Sequence, residues 1–244
     1  MKWMIGFAVL LLAVFTVASL NIAWAATESQ LRPFGCRIHQ VGGPGDDNQE
    51  AYGLAGNDVI IQEGRGGNDR QYVWGNAGDD RITQNGEPGN DTQLVVGGSG
   101  GNYITQNGGA GDDSQDAQGG RDNDLIVQKG GDGNDDMKAT GGGCGSDTII
   151  QIGGAGDDTI KADGGMSDDY IAIYGEDGKD TITYEVSIGK DQVTIDGGKL
   201  EDALTIHVNG QTCTVIENGR VIYRSGRDGS RITVKNIEHI TIIE

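Results

Sequence analysis

Proline is nearly missing from this 244-residue chain, with 3 residues, and aromatic residues make up only 5%. So few large rings exclude a conventional aromatic-rich globular core. Basic residues are in deficit: 18 Lys and Arg stand against 37 Asp and Glu, for a formal net charge of −19. A surface of that sign repels nucleic acid and anionic membranes, and its natural counter-partner is a cation. The cysteines, Cys36, Cys144 and Cys213, are odd in number, so at least one thiol is left over and counting assigns no disulfide. After the N-terminal segment no apolar run is long enough to span a bilayer.

Catalytic signatures are also lacking. No Gly-x-Gly-x-x-Gly or Gly-Lys-Ser/Thr phosphate loop occurs, and His39, His207 and His239 are scattered without metal-ligand spacing. The run GGSGG at 97–101 matches Gly-x-Ser-x-Gly, but it lies in a Gly-rich turn with no helix to follow, as a nucleophile elbow needs. The run DGNDDM at 132–137 opens like an EF-hand loop yet lacks the glycine at its sixth place. Carboxylate pairs such as Asp79 and Asp80 recur at every turn, which suits a structural ligand better than a single glycosidase centre. The chain therefore reads as non-enzymatic.

The N-terminus is a secretory signal by pattern. Lys2 is followed by an almost wholly apolar stretch over 3–18 and by AWA at 23–25, a small-x-small site. Cleavage is expected after Ala25, leaving a secreted, extracellular protein with no membrane span. No cysteine follows that site, so a lipoprotein anchor is not expected.

What the chain has in abundance is glycine, 44 residues, and it is placed periodically. From Gly42 a glycine opens a unit every eleven residues as far as Gly141; one extra residue near Cys144 then shifts the series to Gly153, Gly164 and Gly175. The sixth place of the units is Asp47, Asp58, Asp69, Asp80, Asp91, Asn102, Asp113, Asp124, Asp135, Asp147, Asp158, Asp169, Asp180 and Asp191. Disorder would not keep such a period. Each unit is a six-residue turn followed by five residues, enough for one strand of about 17 Å at about 3.3 Å per residue. Glycines at places one and four are expected to supply the positive φ of a tight turn.

Two turns and two strands make one coil of a flattened solenoid, so a coil spans 22 residues and successive strands fall on opposite sheets. Alternation points places eight and ten inward. One sheet then offers Ile60, Ile82, Ile104 and Ile126 with Gln62, Gln84, Gln106 and Gln128; the other offers Gln71, Gln93 and Gln115 with Val73, Val95 and Ala117. Because the strands of a coil run oppositely, Ile should meet Val or Ala and Gln should meet Gln. Stacked amides can bond one another coil upon coil. Toward Ile173 and Tyr184 the amide seam turns apolar, so the late coils should pack better. From about Val186 the style changes, with Asn-Gly hairpin signals at 209–210 and 218–219. The expected layout is a signal peptide (1–25), an N-terminal cap (26–41), β-roll repeats (42–196) and a C-terminal antiparallel β cap (197–244), all-β throughout.

The turns, best seen in GGAGDDTIK at 153–161, resemble the RTX (hemolysin-type) calcium-binding repeat family, whose pattern is Gly-Gly-x-Gly-x-Asp-x-Ile-x. The resemblance covers 42–191 and implies a parallel β-roll of two flat sheets, with several Ca²⁺ ions between same-edge turns. It implies ligation by Asp47, Asp69, Asp91, Asp113, Asp135, Asp158 and Asp180 on one edge, and by Asp58, Asp80, Asp124, Asp147 and Asp169 on the other. Turn carbonyls would complete the shell. The unit here has eleven residues where the family has nine, and the family usually leaves the cell without an N-terminal signal. On the first edge all seven turns keep Gly at one and four and Asp at six, allowing up to six ions. The second edge has Asn102 for Asp, Asp122 and Ser167 for the fourth glycine, and the extra residue near Cys144, so weaker binding is expected there. Lys179 and Lys190 are expected to mark where binding fades.

Folding on Ca²⁺ and service as a structural or adhesive extracellular module follow as expectations. Plain Asp-Gly turns of a metal-free solenoid are the competing explanation; stacked carboxylates without cations would repel one another. Other candidate partners are ice, a polysaccharide or another cell-surface protein, because place nine of one sheet forms a flat row of Ile61, Thr83, Thr105, Val127, Ile150 and Ala172. The Gln ladders and 22-residue coil also partly resemble curli-type fibril subunits, which makes self-association a further candidate.

Overall fold

The computed structural model of the protein describes residues 20–23 and 35–244. Most of the expected signal peptide, and residues 26–34 of the expected N-terminal cap, lie outside the described residues.

Strand follows turn throughout, and the strands alternate between two sheets. The ten-stranded sheet runs β1 (Leu20–Ala23), β3 (Asn48–Tyr52), β5 (Arg70–Ala77), β7 (Thr92–Ser99), β9 (Ser114–Gly120), β11 (Asp136–Gly142), β13 (Thr159–Gly165), β15 (Thr181–Glu185), β17 (Ala203–His207) and β21 (His239–Ile243). The eleven-stranded sheet runs β2 (Arg37–Val41), β4 (Val59–Glu63), β6 (Arg81–Pro88), β8 (Tyr103–Ala110), β10 (Leu125–Asp132), β12 (Thr148–Ala155), β14 (Tyr170–Asp177), β16 (Gln192–Lys199), β20 (Ser230–Lys235), β18 (Cys213–Glu217) and β19 (Arg220–Ser225). Among the described residues every pairing is parallel except β18 with β19, and the pairings join equivalent places of successive coils until β20, later in the chain, inserts between β16 and β18. The result is the all-β, two-sheet solenoid that the period demands.

The two ends refine the expected layout. Residues 37–41 are already a rung, since β2 pairs in parallel with β4. An antiparallel pair stands near the C-terminus, as expected, but it is confined to β18–β19. Around it the solenoid continues: β20 pairs with β16 and β21 with β17, both parallel. The Asn-Gly turn signal is strong, but the inward alternation of Ile232 and Val234 matches the coil and decides the pairing.

The interior is two seams. Ile60, Ile82, Ile104, Ile126, Ile149 and Ile171 are fully buried with Val73, Val95, Ala117, Ala139 and Ala162. Beside them run two amide columns. Gln62, Gln84, Gln106, Gln128 and Gln151 each donate Nε2 to the Oε1 of the Gln one coil earlier, at 2.7–2.9 Å. Gln71, Gln93 and Gln115 do the same at 2.9–3.0 Å. Each column also reaches across the interior to the opposite backbone, as Gln71 does to the Asn85 carbonyl (3.0 Å) and Gln106 to that of Asp116 (3.2 Å). The columns end where Met137 and Ile173 follow. There the last acceptors, Gln115 Oε1 and Gln151 Oε1, have no donor. Past that point Ile160, Ile173, Ile182, Tyr184 and Ile195 fill the space, and the amide columns give way to apolar packing interrupted only at the Tyr184 hydroxyl.

The turns use their glycines differently from expectation. Place four does adopt positive φ, as at Gly67 (110°) and Gly78 (140°), and Ser167 is held there at 113°. Place two also lies at positive φ, even for Arg65 (82°) and Glu87 (72°). The place-one glycines Gly42, Gly53 and Gly64 are not in that region. Their requirement is steric: a Cβ on Gly64 would collide with Asp69 Oδ2 and with the Gly86 carbonyl of the next coil. The extra residue at Gly143–Cys144 is absorbed within its turn, and β10 and β12 stay in register on either side. All the cysteines are free, Cys144 exposed and Cys213 buried.

Candidate metal centres

Place five and place six of each turn are neighbours in sequence and build two columns that bond in opposite directions along the stack. At place five, exposed Asn or Asp side chains accept the backbone N–H one coil later: Asn90 N–H donates to Asn68 Oδ1 and Asn134 N–H to Asp112 Oδ1. The column ends at Lys179 and Lys190, whose N–H groups donate but whose side chains offer no acceptor.

At place six the carboxylates turn inward and accept from the coil before. Asp47 N–H donates to Asp69 Oδ1, Asp69 N–H to Asp91 Oδ1, and Asp91 N–H to Asp113 Oδ1, at 2.7–2.8 Å. The same file runs through Asp135, Asp158, Asp180 and Asp202. On the other edge it links Asp58, Asp80, Asn102, Asp124, Asp147, Asp169 and Asp191. All of the aspartates expected from the sequence are therefore brought into two files, and all are buried. The file continues past Lys179. Asp202 and, beyond it, Glu238, whose Oε2 accepts the Asp202 N–H, were not foreseen. One more step of eleven from Asp191 finds Asp202.

One oxygen of each carboxylate is thus accounted for; the other is not. The Oδ2 atoms of Asp69, Asp80, Asp91, Asp113, Asp124, Asp135, Asp147, Asp158, Asp169, Asp180 and Asp202 are buried without a hydrogen-bond partner. Asn102 shows what those oxygens face. Its Nδ2, in place of Oδ2, donates to the place-four carbonyl of Gly100 at 3.0 Å. A carboxylate in the same pose turns an acceptor toward an acceptor. The place-one carbonyl of the following coil stands close by as well. The local set is oxygen only, with no donor, which is the chemistry of a hard-cation or proton site.

Burial is the main cause that raises these carboxyls, against the opposing backbone hydrogen bond and with help from neighbouring aspartates in most of them. Asp80, Asp113, Asp147, Asp158 and Asp169 are pushed up to about 7, and Asp69, Asp124, Asp135 and Asp180 to about 6.

File ends differ from file interiors. Asp47 Oδ2 accepts the Gly43 N–H, and Asp58 Oδ2 the Leu54 N–H (2.7 Å). At the other end Asp191 Oδ2 accepts three hydroxyls, from Tyr184 (2.7 Å), Ser187 (2.9 Å) and Ser230 (3.1 Å). Among the described residues no three His, Cys, Asp or Glu side chains converge on one point, so any ion here would take most of its shell from carbonyls and water. No protein-family model, curated protein or solved structure matches this chain.

Proposed function

We propose that this β-solenoid is a calcium-loaded structural module of the extracellular space, in which Ca²⁺ occupies the files of place-six aspartates and holds successive coils together. One observation carries the reading: eleven buried carboxylate oxygens lack a partner and lie among carbonyls, in file along both edges. Charge supports it, since the chain carries −19 and its aspartates are stacked at about 4.8 Å. Calcium takes about six to eight hard oxygens at about 2.3–2.6 Å. Each Asp Oδ2, the place-four carbonyl and the neighbouring place-one carbonyl would contribute, with water filling the remainder. An ion bound only by the folded chain stabilises it by about 2.7 kcal/mol per site at 100 times its dissociation constant. Affinities of about 0.1–1 mM, usual for extracellular modules, fit the secretory pattern of residues 1–25. The half-buried outer row from Ile61 to Ile150, which ends at the buried Ala172, and the stacked rungs suit a scaffold or adhesive surface rather than an enzyme.

A second reading has an observation of its own. Asn102 satisfies its turn with a proton-bearing group, so protonated aspartic acids, raised toward 6–7 by burial, would serve equally well without metal. Calcium stoichiometry on the folded protein, with circular dichroism in chelator at pH 8, separates the two. Six or more ions and loss of the β spectrum on chelation support calcium. Zero or one ion with an unchanged spectrum overturns it in favour of the neutral-acid solenoid.

A further inference from the structure

The strand β1 falls inside the segment that the AWA motif marks for removal. It nonetheless occupies a rung of the solenoid. Leu20, Asn21, Ile22 and Ala23 pair in parallel with Asn48, Gln49, Glu50 and Ala51 of β3. That register is the register of every later rung: Gln49 pairs with Gln71 and Ala51 with Val73. The sequence obeys the coil's rules as well as the backbone does. LNIAWA at 20–25 aligns with NQEAYG at 48–53 and RQYVWG at 70–75. Place eight is an amide in all three (Asn21, Gln49, Gln71), place ten is small and apolar (Ala23, Ala51, Val73), and place eleven is aromatic (Trp24, Tyr52, Trp74). The aromatic place has a function in the later rungs, since the rings of Tyr52 and Trp74 stack at 4.7 Å with an interplanar angle of 6°. A one-residue slip of a strand sends every side chain to the wrong face, so agreement at places eight, ten and eleven together is a demanding match.

A leader that ends earlier is compatible with the N-terminal sequence. The apolar run over 3–15 has thirteen residues, within the span of about 7–15 that a signal core needs. Thr16, Ala18 and Ser19 follow it directly and supply small residues for a peptidase site. Cleavage there leaves Leu20–Ala23 on the mature chain. Cleavage after Ala25 strips the first rung and bares the edge of β3, an unpaired strand edge of the kind that recruits other chains.

We propose that the leader is cut before Leu20, after Ala18 or Ser19, and that Leu20–Ala23 remain in the mature protein as the first rung of the ten-stranded sheet. The proposal is independent of cation binding. Its test is the intact mass of the full chain exported from a secreting bacterial host. The expected product begins at Ser19 or Leu20; a product beginning at Ala26 overturns the proposal. Ala25→Leu, which disables the AWA site, is expected to leave export and the cut position unchanged, and accumulation of uncut precursor would sink the idea. Ala23→Asp puts a charge at place ten of the rung, where β3 and β5 carry Ala51 and Val73, and is expected to lower the thermal midpoint of the exported protein by several degrees. A midpoint equal to that of the parent would show that the segment is no rung.

Discussion

Asp169 and Asp191 are successive members of one file, yet their second oxygens meet opposite surroundings. At Asp191 three hydroxyls, from Tyr184, Ser187 and Ser230, converge on Oδ2. At Asp169, one coil earlier, Oδ2 has no partner at all. The fold can evidently surround a buried carboxylate with donors when no further aspartate follows: Ser230 stands at place six of the next coil on that edge and closes the file. Unpartnered oxygens in the interior are therefore a property of the repeat itself. A buried unsatisfied carboxylate oxygen costs about 1–3 kcal/mol or more, and a repeated cost of that size asks for a repeated ligand.

The largest expected effect is that of pH on the metal-free protein. Interior aspartates have carboxyls raised from 3.8 to about 6–7, chiefly by burial. A raised folded-state value means stabilisation that is present below the unfolded value and is lost as pH climbs through 6–7. Thermal midpoints in chelator should fall between about pH 4 and pH 7 and level off above that. Excess calcium should reverse or flatten that slope, because the ion needs the deprotonated carboxylate. A chelator-independent midpoint across this range would remove the cation from the account.

Next in size is Asp169→Asn. By analogy with Asn102, the new amide can donate to the place-four carbonyl, so the variant should melt no lower than the parent in chelator. In calcium it should lose about 2.7 kcal/mol for a site held at 100-fold saturation. Equal losses in both conditions would erase the distinction between interior and end. Asp191→Asn should behave the other way, weakening the protein by about 1–3 kcal/mol with or without calcium, as an amide replaces an oxygen that accepts three donors. Tyr184→Phe is the mildest change. It removes one of those donors and should cost about 1 kcal/mol in urea titration, insensitive to calcium.

Much of this was legible from the sequence, because an eleven-residue period leaves few ways to stack. The columns of Ile82, Gln84 and Val95 follow from alternation alone, and the amide ladders follow from identical residues in identical places. The turn glycines were legible as necessary but not as to why. Place-one glycine looks conformational in a sequence, whereas here the Asp carboxylate fills the room its side chain would need. The C-terminal coil was obscured by the hairpin β18–β19, whose Asn-Gly turns speak louder locally than the alternation of Ile232 and Val234 around them. Glu238 was hidden for the same reason, whereas Asp202 lay within reach, one step of eleven past Asp191. Of the donors on Asp191, Tyr184 and Ser187 are sequence neighbours, but Ser230 could not be read at all, since it lies 39 residues away and reaches Asp191 only through the fold.

The inserted residue at Cys144 changes the length of one turn and nothing in the sheets beside it. Coil length is thus decoupled from coil height. Whole 22-residue blocks can be added or removed without disturbing the two termini of the stack, and each block moves those termini by about 4.8 Å. The molecule is in that sense a ruler, and the distance between its ends can only change in discrete steps.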